Sequence, residues 1–292
     1  MAKIKIDQKK CIQCGACVAI CQPEIFVQLD EEIQIESEEN CFQCGHCVAL
    51  CPTDAIDHER FPLASMPLLN EMPEIGVDQV ISLLRGRRSS RIFQDKKVPS
   101  EILTDLLDCT RWAPSASNEQ NVEWLVIDNA EDILDLSKKA VDSLAKLANL
   151  VRNPIVRLGL RFIYGVEILE KAVNSVSQLE IAEDQLAAGD NPLLFNAPVV
   201  LVAHVPKSNY FGRDDSIYAA YNLMLTAQKM GLGTCQIGYF TVALDRSKKL
   251  RNFLGLPAGR KPEVVLVLGY SKYKFLRGID RNVRKMQAYK KK

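Results

Sequence analysis

Beyond residue 77 the chain alternates between two textures. In one, apolar positions recur three and four residues apart; in the other they form short unbroken runs rich in branched side chains. The first texture predicts a helix over Asp78–Arg85, capped by Asp78, with Val80, Ile81 and Leu84 on one face. It predicts another from Ser100 to Arg111, capped by Ser100 and apolar at Ile102, Leu103, Leu106 and Leu107. Further helices are expected over Ala130–Leu150, Ile155–Ala188 and Asp214–Met230, the last stopping at Gly231. The second texture predicts strands at Glu123–Asp128, Ala197–His204 and Glu263–Gly269. Helices and buried strands in mixed order make this part an α+β domain.

The first sixty residues show neither texture. Between them and the α+β part lies Phe61–Pro73, with three prolines in thirteen residues, which predicts an extended linker. The expected organisation is therefore a domain over 1–60, a linker over 61–76 and a second domain over 77–292, and 292 residues leave room for both. The apolar stretch Pro192–Val205 is too short to span a bilayer, and Pro154–Leu169 is broken by Arg157 and Arg161. With 37 basic against 36 acidic residues, net charge implies no nucleic-acid partner. The basic tail Arg277–Lys292 reads as a solvated or dimer-wrapping end. Nothing in Met-Ala-Lys-Ile-Lys-Ile-Asp resembles a signal peptide, so a soluble, reducing, cytoplasmic setting is expected.

Eight of the ten cysteines carry the chemistry of the first domain. Cys11, Cys14, Cys17 and Cys21 form one C-x₂-C-x₂-C-x₃-C run, and Cys41, Cys44, Cys47 and Cys51 form a second. This is the run that holds cubane 4Fe–4S clusters in bacterial two-cluster ferredoxins, where the last cysteine of each run serves the other cluster. Cys11, Cys14, Cys17 and Cys51 are thus expected on one cluster, and Cys41, Cys44, Cys47 and Cys21 on the other. Gly15 and Gly45 let the loops wrap three corners of a cubane and aim N–H groups at sulfur. Pro52 follows Cys51, whereas Gln22-Pro23 follows Cys21. Zinc sites use paired knuckles with four ligands, and disulfides need an oxidising compartment, so neither fits as well. His46 and His58 are read as bystanders, since eight thiolates suffice for eight irons.

Four segments carry the chemistry of the second domain. Arg87-Arg88-Ser89-Ser90-Arg91 packs forked donors and hydroxyls together, a composition suited to phosphate. Ala113-Pro114-Ser115-Ala116-Ser117-Asn118-Glu119-Gln120 is a loop of short polar side chains before a strand. Gly231-Leu-Gly233-Thr-Cys235-Gln236-Ile237-Gly238 follows a helix and lacks a third glycine in register, so it is not a dinucleotide fingerprint. Its glycines are expected to let the backbone lie against something flat. Gly269-Tyr270-Ser271 ends the last strand, with Arg277 and Arg281 beyond.

In order and separation these segments resemble the FMN-dependent nitroreductase family over about 77–281. The resemblance includes an R-x-S-x-R-x-F opening, A-P-S-x-x-N-x-Q before a strand, G-L-G-T-C-x-I-G after a long helix, and a closing strand with a basic tail. A branch of that family carries a fused two-cluster ferredoxin. The resemblance implies that Arg87, Ser89 and Arg91, with Arg88 adjacent, hold the FMN phosphate and ribityl chain. Pro114 and Ser115 belong to the flavin loop, Asn118 contacts the isoalloxazine edge, and Ile237 and Gly238 lie over the flavin with Cys235 and Gln236 close by. Arg277 returns to the phosphate, and a homodimer is implied. This chain departs from the family at Asn121, where Pro is frequent, and at Ser271, which replaces the Pro of G-Y-P. Cys109 and His204 are read as structural, Cys235 as a packing residue ahead of a redox one, and the acidic runs at 30–32 and 36–39 as a solvated face.

The expected function is a flavin-dependent reductase: electrons enter singly at two clusters, collect as a pair on FMN and pass to a nitro compound, quinone or activated alkene. Ferredoxin or flavodoxin is the expected donor, with NAD(P)H as the alternative. Rival readings are a dimeric electron carrier between a low-potential donor and a partner protein, and a reductive dehalogenase or flavin-supplying enzyme on the same fold. Residues 140–190, with Phe162 and Tyr164, are expected to cap the active site.

Overall fold

The computed structural model describes residues 3–156 and 181–290, and the backbone alone over 146–152. The chain divides into two compact units, Met1–Val77 with Ala116–Glu119, and Asp78–Ser115 with Gln120–Lys292.

The first unit is a repeat with a period of thirty residues. Helix α1 (Ala16–Ile20) recurs as α2 (His46–Leu50), each entered through a left-handed glycine, Gly15 at φ 72° and Gly45 at φ 75°. The left-handed non-glycine positions repeat at the same interval: Gln13 with Gln43, and Glu24 with Asp54. Strand β1 (Ile4–Ile6) pairs antiparallel with β4 (Ile56–His58), and β2 (Phe26–Leu29) with β3 (Glu32–Ile35), so each half lends a strand to the other. The core is small: Ile4, Ile25, Phe26, Ile33, Val48 and Ile56, with cysteines of both runs packed around it. A core of this size leaves a domain dependent on an added staple, metal or covalent. The proline-rich stretch groups with this unit. It carries 3₁₀ turns at Leu63–Ser65 and Leu69–Glu71, and Phe61 and Met66 pack on the core.

The second unit is built on one antiparallel sheet of four strands in the order β5-β6-β8-β7. These are β5 (Glu123–Ile127), β6 (Val199–Pro206), β7 (Leu232–Gln236) and β8 (Arg260–Tyr270). Alternate side chains of β6 and β8 feed two separate cores. Val199, Leu201, Val264, Leu266 and Leu268 meet helices α4 (Ser100–Asp108) and α6 (Gly212–Lys229) on one face. Val200, Val202, Val265 and Val267 meet α5 (Ala130–Arg152), α7 (Gly238–Arg246) and α8 (Lys248–Phe253) on the other. Both faces are covered, which explains why these strands read as unbroken apolar runs rather than alternating ones.

Expected elements recur, with differences at their ends. Helix α3 (Val77–Gly86) begins one residue early, so Asp78 lies inside its first turn, where a carboxylate complements the helix dipole. Ser100 is the first residue of α4, Pro99 holds the cap position, and no side chain caps the helix. Val80, Ile81 and Leu84 share a face as expected, but that face is exposed. Of the helix expected over 155–188, residues 155–156 and 181–187 are helical. Residue 188 is a turn, and residues 157–180, with Phe162 and Tyr164 of the expected cap, lie outside the described residues.

Candidate functional site

In the first unit the loops hold the sulfurs in two groups. One cavity is lined by Cys11, Cys14, Cys17 and Cys51, with Cys47 of the other group, Pro52 and Ile56 also on its wall. The three thiols whose charge is felt at Cys47 are Cys44, Cys41 and Cys21. The last cysteine of each run therefore lies with the first three of the other. The paired strands cause this exchange, because β4 follows Cys51 and runs beside β1, which precedes Cys11. Among the described residues, no group of three or more His, Cys, Asp or Glu side chains is arranged to hold a single metal ion.

Donors point at the sulfurs at recurring places. The Ile25 N–H donates to Cys21 Sγ at 3.4 Å, and thirty residues on the Ala55 N–H donates to Cys51 Sγ at 3.2 Å. The Gln43 N–H donates to Cys41 Sγ at 3.3 Å. Burial tends to raise the Cys51 thiol, but the N–H groups of Thr53 and Ala55 and the Thr53 hydroxyl outweigh it and bring the group down. Cys47 receives less help, and burial pushes it up to about 12. Burial also raises Cys17. A buried thiol of this kind becomes a thiolate when a cation takes the place of its proton. His58 is buried, and burial lowers its basicity. Its Nε2 lies 3.8 Å from Cys41 Sγ.

In the second unit the arginine–serine segment is fastened to the free side of edge strand β7. Ser89 bridges to Thr234, and Phe93 bridges to Ser271. The Ser90 N–H donates to the Thr234 carbonyl at 2.9 Å, and the Gln94 N–H to the Tyr270 carbonyl at 2.8 Å. A hydroxyl–hydroxyl bond of 2.6 Å from Ser271 to Ser90 closes the join. Gly233 makes room for it: a Cβ there would meet both hydroxyl oxygens at 2.3 Å. This glycine thus answers to two serines of its own chain. The departure at Ser271 is explained by the same bond, which proline lacks the hydroxyl to make.

Arg88 donates to the Arg87 carbonyl at 2.8 Å and to the Ile279 carbonyl at 3.3 Å, and Arg85 pairs with Asp280. The tail segment that contains Arg277 is thereby brought back beside the end of α3. Arg91 lies over the Phe195 ring at 5.9 Å. Among the described residues, Arg87, Arg88 and Arg91 make no ion pair with a carboxylate, so the segment presents uncompensated positive charge. Four of the named segments therefore meet at one sheet edge: 87–93, 232–238, 269–271 and 277–281.

The remaining expected residues sit less simply. Cys235 and Ile237 are buried in the sheet's second core, so any contact they make with a ligand there falls to main-chain atoms. The Ile237 N–H is already used on the Val265 carbonyl. Gln236 and Gly238 are exposed. Pro114 is exposed, and the Ser115 hydroxyl accepts from the Gln120 N–H at 3.0 Å. Asn118 belongs to the turn that groups with the first unit, and its amide donates to the carbonyls of Phe42 at 3.0 Å and Gln43 at 2.7 Å. No local signal in the sequence announces that contact, which spans 75 residues. Asn121 accepts from Asn209 Nδ2 at 2.9 Å and, through its carbonyl, from Arg260. Arg260 also donates to His204 Nδ1 at 2.9 Å and pairs with the exposed Glu123 carboxylate at 3.1 Å, a polar join the sequence did not reveal.

A cysteine-rich repeat joined to a helix-covered antiparallel sheet with a basic edge defines an iron–sulfur-type module fused to an α+β enzyme domain. The Nitroreductase family pattern matches residues 84–270, and the 4Fe-4S dicluster domain pattern matches residues 10–56. The chain belongs to the nitroreductase family, and with it is an oxidoreductase of the nitroreductase class that carries a dicluster domain. It is 24% identical over 195 residues, 65% of this chain and 76% of the other, to a Methanothermobacter thermautotrophicus protein provisionally named NADH dehydrogenase/NAD(P)H nitroreductase. It is 25% identical over 190 residues, 64% of this chain and 60% of the other, to iodotyrosine deiodinase 1 of Pongo abelii. Among solved structures, a Bacteroides fragilis nitroreductase with bound FMN shares the fold at a TM-score of 0.54. That match has 17% identity and covers 73% of this chain and 99% of the other.

Proposed function

We propose that this chain is an FMN-dependent reductase fed by two 4Fe–4S clusters. Cys11, Cys14, Cys17 and Cys51 hold one cluster; Cys41, Cys44, Cys47 and Cys21 hold the other. Arg87, Arg88, Ser89 and Arg91 hold the FMN phosphate and ribityl chain, with Arg277 added from the tail and Pro114, Ser115, Gln236 and Gly238 bordering the ring. The clusters supply single electrons and the flavin supplies a two-electron reductant, which reduces a nitro group, quinone or activated alkene with two protons from solvent. The carrying observation is that one chain combines a nitroreductase domain with two sulfur quartets whose fourth members are exchanged. The uncompensated arginines of 87–91 fit an anion with several oxygens.

The protein's part is to place and exclude. Guanidiniums and serines bind the phosphate end, the buried strand β7 fixes one wall, and N–H groups hold thiolates in a low-dielectric loop. Ferredoxin or flavodoxin is the proposed donor, because single-electron clusters stand at the entrance. NAD(P)H is the alternative that the archaeal relative's name suggests. A homodimer is proposed from uncovered apolar faces, namely Val80, Ile81 and Leu84 of α3, Tyr218 of α6, and Phe275 and Leu276 of the tail. No helix among the described residues is long and apolar enough to cross a membrane.

The test is anaerobic. Protein purified without oxygen should carry about eight irons and one FMN per chain. After reduction, mixing with nitroarenes, quinones or enoates should reoxidise the flavin with ping-pong kinetics. No reoxidation beyond the buffer control for any acceptor would reduce the chain to an electron carrier. Faster reoxidation by an iodinated or brominated phenol, with halide release, would favour reductive dehalogenation, the reading suggested by the deiodinase relative.

A further inference from the structure

The thirty-residue repeat makes the two sulfur groups nearly equivalent, and its breaks are therefore informative. Among the described residues the Gln43 N–H on Cys41 Sγ has no counterpart from Gln13, whereas the backbone donors at Ile25 and Ala55 obey the repeat. Side-chain donors do not. Position 58 is His where its counterpart is Gln28, and position 53 is Thr where its counterpart is Pro23.

His58 is held in one tautomer. Its Nδ1 accepts the Arg60 N–H at 3.2 Å, and an accepting ring nitrogen carries no proton. The proton of the neutral ring is then on Nε2, the atom 3.8 Å from Cys41 Sγ. The ring is buried, and Phe61 packs against it with centroids 5.0 Å apart, so it has little freedom to turn away. Among the described residues Gln28 makes no matching bond to Cys11.

We infer that His58 is a positioning residue that donates Nε2–H to the Cys41 thiolate and raises the reduction potential of the cluster on Cys41, Cys44, Cys47 and Cys21. The inference rests on the two-cluster reading above. Adding one electron to a cluster increases the negative charge on its sulfurs. A fixed N–H dipole stabilises that state more than the oxidised one and so raises the potential. No proton moves. The Thr53 hydroxyl, 3.8 Å from Cys51 Sγ, acts in the same way on the other cluster.

The experiment is an anaerobic potentiometric titration of the full chain, followed by electron paramagnetic resonance, for wild type, His58→Leu, His58→Gln and Thr53→Val. His58→Leu should move one cluster couple to a more negative potential and leave the other in place. His58→Gln, which restores an N–H at similar reach, should recover most of that shift, and Thr53→Val should move the other couple. Wild-type protein with ring-¹⁵N histidine should also show a weak nitrogen coupling on one reduced cluster that His58→Gln lacks, a readout that survives misfolding of the leucine variant. Two intact cluster signals with unmoved couples, or with no histidine coupling, overturn the role of His58 and leave the two-cluster reading standing. Absence of cubane signals in wild type overturns both.

Discussion

At the scale of single residues, the site is held by positions where a Cβ or a proton decides the outcome. Gly15 and Gly45 occupy the same left-handed region, but their surroundings differ. A Cβ at Gly15 would meet only the Gln28 amide oxygen at 3.4 Å, whereas at Gly45 it would meet the Phe61 ring at 3.2 Å. Gly15→Ala should therefore cost about the left-handed penalty alone, ~1–2 kcal/mol. Gly45→Ala should cost more and lose iron first, which iron content and thermal melts of the two variants would reveal. Gly233→Ala drives a methyl into Ser90 and Ser271 and should loosen the arginine segment from β7. FMN retention through gel filtration should fall, and an unchanged flavin content would count against the phosphate assignment. His204 offers a pH test. Burial first, then the charge of Arg260, lower its basicity, while Glu123 opposes them. A histidine kept neutral in the fold stabilises fully above its ordinary value near 6.5 and loses that contribution as pH falls below it. Between pH 7.5 and 5.5, wild type should lose more thermal stability than His204→Gln.

Elements show which signals a sequence can carry. The cysteine runs were legible because their ligand spacing is local, and β6 and β8 because both of their faces are buried. Strand β7 was not. Leu232-Gly-Thr-Cys-Gln carries a glycine and two polar side chains and is a strand because β8 pairs along its whole length. The same pairing turns Cys235 into the second core, among Val265, Val267 and Phe240. Cys235→Ala should therefore lower stability by about 1–2 kcal/mol through lost packing while leaving the flavin bound and its reduction rate unchanged. Unfolding melts and stopped-flow reduction would separate the two effects. The three-residue strands β1 and β4 are too short to leave a pattern at all. His58 looked like a bystander because its partner sulfur is brought to it by tertiary folding.

For the whole molecule, the two units differ in what keeps them folded. The second has two continuous cores on a shared sheet. The first has a handful of apolar residues and eight sulfurs. Chelation of iron should thus unfold the first unit and spare the second, so that hydrogen exchange rises in 3–60 and stays low in 199–206 and 260–270. The exchanged cysteines give this dependence a particular form. On the proposed ligand assignment, with Cys51 joining Cys11, Cys14 and Cys17, neither half of the repeat owns a full set of ligands. Each inorganic centre becomes a rivet through both halves. A protease cutting the turn at Asp30-Glu31 would release no fragment until the iron was removed, and a half-length chain would mature no centre of its own. The module must be completed as a pair or not at all.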